Sequence, residues 1–97
     1  MKLLTIVAEA ALERRLTADL AALGVRGWTI VEAHGHGRHG DAEGDMLGGG
    51  NIRLEAVAPP DVVAAVVAHL RDVYFQHWGM IVFSHDVDVV RSEKFRG

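Results

Sequence analysis

Residues 35–50 hold seven glycines in sixteen positions, and they lie between two stretches that read as β-strands. Glycine reaches positive φ without a Cβ penalty and lets a ligand approach the backbone closely. A loop of this length with no structure of its own is usually functional or disordered. Its first half carries His36, Arg38 and His39, with His34 directly before it. The stretch reads as a loop that closes on a ligand or as a surface linker, and the rest of the chain is organised around it.

Before the loop, residues 3–8 are apolar on both parities, the pattern of a strand covered on both faces. Residues 10–23 change to helical spacing, with Leu12, Leu16, Leu20 and Leu23 in one stripe. Glu13, Arg14, Arg15 and Asp19 lie off the stripe and read as a solvated face. Gly24 stands where a glycine ends a helix. Residues 28–33 form a second strand, with Trp28, Ile30 and Glu32 on one parity and Thr29, Val31 and Ala33 on the other.

After the loop, residues 52–58 alternate again. Ile52, Leu54 and Ala56 face one way; Arg53, Glu55 and Val57 face the other. Pro59 and Pro60 stop that strand, and Pro60-Asp61 opens a helix with the acid at the positive end of its dipole. Val63, Val66, Val67, Leu70 and Val73 make its apolar stripe. Residues 74–79 connect to a fourth strand at 80–83, again apolar on both parities. Residues 86–91 are expected to form a short fifth strand, and residues 92–97 a polar tail.

The element order predicts an α+β, ferredoxin-like βαββαβ domain spanning residues 1–97. Right-handed crossovers put both helices on one face of the sheet. The other face is then bare, yet the first and fourth strands read as buried on both sides. A closed symmetric oligomer reconciles the two, without fixing the number of subunits.

Composition narrows the function. The formal charge is −3, which argues against a non-specific nucleic-acid binder. The absence of cysteine excludes disulfides, thiolate metal sites and cysteine nucleophiles. No apolar run approaches the roughly 20 residues of a membrane span. A soluble cytoplasmic protein, not inserted in the membrane, is expected. No nucleophile–base dyad stands out at local spacing, so the pattern points away from an enzyme.

Two constellations carry chemistry. In Gly35-His36-Gly37-Arg38, the glycines can aim successive N–H groups at an anion, and Arg38 is a planar donor for phosphate or carboxylate. Arg38 alone reads equally as an anion ligand or a solvated arginine. His34, His36 and His39, with Asp41 and Glu43 following, are a plausible zinc, copper or nickel set. A glycine-rich loop preorganises such ligands poorly, and polar loop histidines are the stronger reading. A trimeric metal-binding ferredoxin-like protein stands as the alternative.

Taken together, residues 27–39 resemble the strand and loop base of PII signalling proteins, which carry Gly-x-Thr-Val-x-Glu-Val-x-Gly-Phe-Gly-Arg-Gln. Residues 54–61 resemble their Ile-Glu-Ile-Val-Val-Pro-Asp-Asp, and residues 79–83 the end of their nucleotide-contacting loop with its strand. Arg91 falls where they place a phosphate-binding arginine. Residues 51–55 and 74–81 are closer still to the SbtB and carboxysome-PII branch. The departures are specific. The T-loop is short and has no tyrosine, so the uridylylation site of the nitrogen-regulating members is missing. His39 replaces the loop-base glutamine, Met80 a lysine and Glu93 a second phosphate arginine.

The resemblance implies a homotrimer binding adenine nucleotides in clefts between subunits. AMP, ADP or cyclic AMP fits the departures better than ATP, with bicarbonate a further candidate ligand. Thr29, Glu55 and Val57 would line the adenosine pocket, and Gly79, Met80 and Ile81 would border it. Gly35, His36, Gly37, Arg38 and a neighbour's Arg91 would hold the phosphates. A membrane bicarbonate transporter or a carbon-metabolism protein is the implied target, reached through the T-loop.

Overall fold

The computed structural model describes residues 1–37, 40–41 and 50–96. Strand β1 (Lys2–Glu9) leads through a 3-10 turn (Ala10–Leu12) into α1 (Glu13–Ala22), and β2 (Thr29–Ala33) follows. Two short strands, β3 (His36–Gly37) and β4 (Gly40–Asp41), pair with each other. Strand β5 (Asn51–Ala58), α2 (Pro60–Val73), β6 (Ile81–Asp86) and a 3-10 turn (Ser92–Phe95) complete the order. The main sheet runs β2-β5-β1-β6, and every pairing in it is antiparallel. This is the ferredoxin-like arrangement: β5 lies between β1 and β2, and β1 between β5 and β6.

Period-two alternation decides which face is covered. Leu4, Ile6 and Ala8 of β1 stand opposite Ala56, Leu54 and Ile52 of β5, and all six are buried. Leu12, Leu16 and Leu20 pack on this side with Val63, Val66 and Leu70 of α2. The two leucine-valine stripes thus bury against one sheet face, each side chain contributing about 1.5–3 kcal/mol.

Helix ends follow from local chemistry. Gly24 has φ 102°, and the N–H groups of Gly24 and Val25 donate to the carbonyls of Ala21 (3.2 Å) and Leu20 (3.0 Å). This double closure needs the left-handed region, which glycine enters without strain. Proline occupies the first position of α2, where a missing N–H costs nothing.

A polar clamp ties the two helices. Asp19 Oδ2 accepts from the Tyr74 hydroxyl at 2.5 Å and meets His69 Nε2 at 2.9 Å. The Arg15 guanidinium lies over the Tyr74 ring, 4.8 Å from its centroid. Burial alone would raise the Asp19 carboxyl, but the Tyr74 and His69 contacts and the Arg15 charge outweigh it and hold it below its ordinary value. Asp19 and Arg15, expected to be solvated charges, therefore join α1 to the end of α2.

Two expectations are corrected. Residues 86–91 form no fifth strand: β6 ends at Asp86 because it pairs there with Lys2, the first residue of β1. Val87 N–H makes one more bond, to the Met1 carbonyl at 3.1 Å, beyond the last paired residues. The glycine-rich stretch is not wholly without structure, since β3 and β4 form a small ladder within it. As the element order predicts, one face of the sheet has no helix over it in the single chain, although Thr5 of β1 is buried there between Glu55 and Phe83. Ile81 is 59 % and Phe83 47 % exposed, on the face that neither helix reaches.

Candidate functional site

The uncovered sheet face carries two adjoining clefts. Register explains why. Leu3 of β1 stands opposite Val57, Thr5 opposite Glu55 and Val7 opposite Arg53, while β2 places Thr29 opposite Glu55 and Val31 opposite Arg53. Alternation puts all these side chains on the face away from the helices.

The first cleft measures about 310 Å³ and is lined by Leu3, Gly27, Trp28, Thr29, Glu55, Ala56, Val57 and Phe95. Its lining is mostly apolar, with Thr29, Glu55 and the indole N–H of Trp28 as its hydrogen-bonding side-chain groups. Such a cavity suits a flat, largely apolar group whose edge offers a few polar atoms. The second measures about 270 Å³ and is lined by Val7, Ala33, His34, Gly35, His36, Asn51, Arg53 and Ile81. Here Arg53, two imidazoles and an amide converge where β2 ends, and donors of this kind suit an anion.

One ion pair joins the two. Arg53 Nη2 donates to Glu55 Oε2 at 3.1 Å, two residues along β5, and both side chains are substantially exposed. Glu55 borders the first cleft and Arg53 the second. At about 3.3 Å per residue, the span from Val57 to Asn51 is roughly 20 Å, so one elongated ligand can reach both.

The sequence-predicted residues divide accordingly. Thr29, Glu55 and Val57 come together in the first cleft; Gly35, His36 and Ile81 come together in the second. Gly37 follows His36 in β3. Gly79 is exposed in the connection before β6, and Met80 packs on the core from the helix side. Arg91 is exposed, and its carbonyl accepts the Lys94 N–H at 3.1 Å. These three line neither cleft of the single chain. Arg38 and His39 lie outside the described residues. Among the described residues, which leave out His39, no group of three metal-ligating side chains forms; His34 and His36 line the second cleft together with Arg53.

Sequence reasoning missed Trp28, Phe95, His34, Asn51 and Arg53 as lining residues. Arg53 was within reach, since alternation places it beside Glu55. Phe95 was not, because nothing local tells where a polar tail folds back.

No helix among the described residues is long and apolar enough to cross a membrane. The family model of nitrogen regulatory protein P-II matches residues 1–94. A PII-like protein of Thermus thermophilus is 39% identical, with 97% of this chain and 92% of that one covered and a TM-score of 0.83. CPII of Thiomonas intermedia, solved with ADP and bicarbonate, is 34% identical over 98% of this chain and 93% of its own, with a TM-score of 0.87. The same protein with ADP, AMP and bicarbonate aligns at 33% identity, 99% and 93% coverage and a TM-score of 0.89. A comparison with curated proteins gives no match.

Proposed function

The chain belongs to the nitrogen regulatory protein P-II family, and from that premise we propose that it is a regulatory protein that senses adenine nucleotides in clefts completed by neighbouring subunits. The observation that carries this reading is the pair of adjoining clefts on the uncovered sheet face. The apolar one, with Thr29 and Glu55, takes the adenosine. The donor-rich one, with Gly35, His36 and Arg53, takes the phosphates, together with Gly37 and Arg38 from the adjoining loop base. CPII, whose fold this chain shares, holds ADP and bicarbonate.

The assembly is a homotrimer. Val31, Ile81 and Phe83 present apolar surface on the uncovered face, which a neighbouring subunit covers. Trimerisation brings Arg91 of one subunit toward the next subunit's phosphates, a role it does not perform within its own chain. Ligands with one or two phosphates bind best, because Met80 and Glu93 stand where the resemblance calls for cations. Bicarbonate binds beside the nucleotide among the donors of the second cleft. Nucleotide state is relayed to a cytoplasmic face of a bicarbonate transporter, or to a carbon-metabolism protein, by the conformation of residues 35–50.

Calorimetry with AMP, ADP, cyclic AMP and ATP, each with and without bicarbonate, tests the reading. AMP or ADP should bind with at least micromolar affinity, more tightly than ATP, and bicarbonate should strengthen the binding. Absence of heat with every nucleotide would remove the proposal.

A further inference from the structure

Phe95 is the one apolar residue between Arg91 and Arg96. It is half-buried, yet it does not pack on the hydrophobic core. Its 3-10 turn, closed by Lys94 N–H on the Arg91 carbonyl at 3.1 Å, brings it to the first cleft beside Leu3, Trp28 and Val57. The cleft keeps about 310 Å³ with the ring already in its wall, so Phe95 borders the space instead of filling it. Thr29, Glu55 and the indole N–H of Trp28 supply the polar side-chain groups of the lining and can meet the edge of a base. Nothing polar is needed at its face, where an aromatic ring is the favoured neighbour.

We propose that Phe95 is a base-stacking residue, and that the C-terminal turn gives the cleft its preference for a purine-bearing ligand. This rests on the nucleotide reading above. Purines stack over a larger area than pyrimidines, so the ring favours ADP over UDP or CDP.

The test uses the full-length protein with ADP, CDP and inorganic pyrophosphate as probes. Phe95→Ala should weaken ADP roughly five- to hundredfold, the range of one base–aromatic stack. Phe95→Tyr should stay within about threefold of the wild type. Pyrophosphate, which has no base, should bind all three proteins alike, and ADP should lose its advantage over CDP in Phe95→Ala. If the alanine variant loses its fold or assembly by circular dichroism or light scattering, Phe95→Leu replaces it and should still weaken ADP. Equal or tighter ADP binding in the alanine or leucine variant overturns the inference, because the ring is then a bystander or a plug. A parallel loss of pyrophosphate binding overturns it too, since the turn then acts on the phosphates. A wild type that binds no ADP refutes the nucleotide reading itself, which is a separate result.

Discussion

Tyr74→Phe isolates the bond that ties the helices together. Tyr74 is fully buried, and it is the only tyrosine in the chain, so tyrosinate absorbance reports this group alone. Burial, and after it the Asp19 carboxylate, push the phenol up to about 12 from 10, against the opposing pull of Arg15. A folded pKa above the unfolded one gives stability that is complete below about pH 10 and lost as pH rises through about 12. Two pKa units correspond to about 2.7 kcal/mol, as an order of magnitude. The phenylalanine variant keeps the ring packing and loses the hydroxyl. A hydrogen bond to a charged acceptor contributes about 1.5–3 kcal/mol. The lower end applies because Asp19 keeps His69 at 2.9 Å and some solvent contact. Urea denaturation at fixed protein concentration should find the wild type about 1.5–2 kcal/mol more stable near neutral pH. That advantage should disappear between pH 10 and 12, ahead of the folded phenol's own ionisation, which tyrosinate absorbance should place near 12. A tyrosine that titrates as in a free peptide, with equal stability of the two proteins at neutral pH, would refute the reasoning.

Phe83→Asp places a charge on the uncovered sheet face and should convert the trimer to monomers of unchanged secondary structure, seen as a threefold drop in mass by light scattering. The Thr5 hydroxyl is buried without a hydrogen-bond partner among the described residues. Thr5→Val should therefore raise stability by about 1 kcal/mol in urea denaturation, since it removes an unpaired polar group and keeps the β-branched shape. Arg38→Ala should weaken ADP by roughly 2–4 kcal/mol, thirty- to a thousandfold, with oligomeric mass unchanged. Arg38→Lys should recover only part of this, because an ammonium lacks the planar fork, and calorimetry distinguishes the three proteins.

The main fold was legible because its elements bury one face each. The leucine stripe of α1, the valine stripe of α2 and the alternation of β5 all survive in the structure. What failed was what depends on a partner strand or a distant contact. Residues 86–91 have strand-like composition, but the ladder with β1 ends at the Lys2–Asp86 pair and they find no other strand among the described residues. Asp19 reads as a surface charge until α2 brings His69 and Tyr74 to it from 50 and 55 positions away. The first cleft was half visible: period two groups Arg53, Glu55 and Val57, whereas the return of Phe95 is a tertiary event with no local signature. The resemblance supplied the roles of Arg38 and Arg91, which spacing alone left open.

Amide NMR of the labelled protein during an ADP titration tests the location of the site most directly. Shifts should concentrate at Thr29, Gly35, Glu55, Val57 and Ile81, which border the two clefts. The outer positions Arg14, Ala18, Ala64 and Arg71, on the far side of the sheet, should stay in place. Binding that moves those helix positions and leaves the β2–β5 residues unchanged would contradict the assignment of nucleotide to the uncovered sheet face.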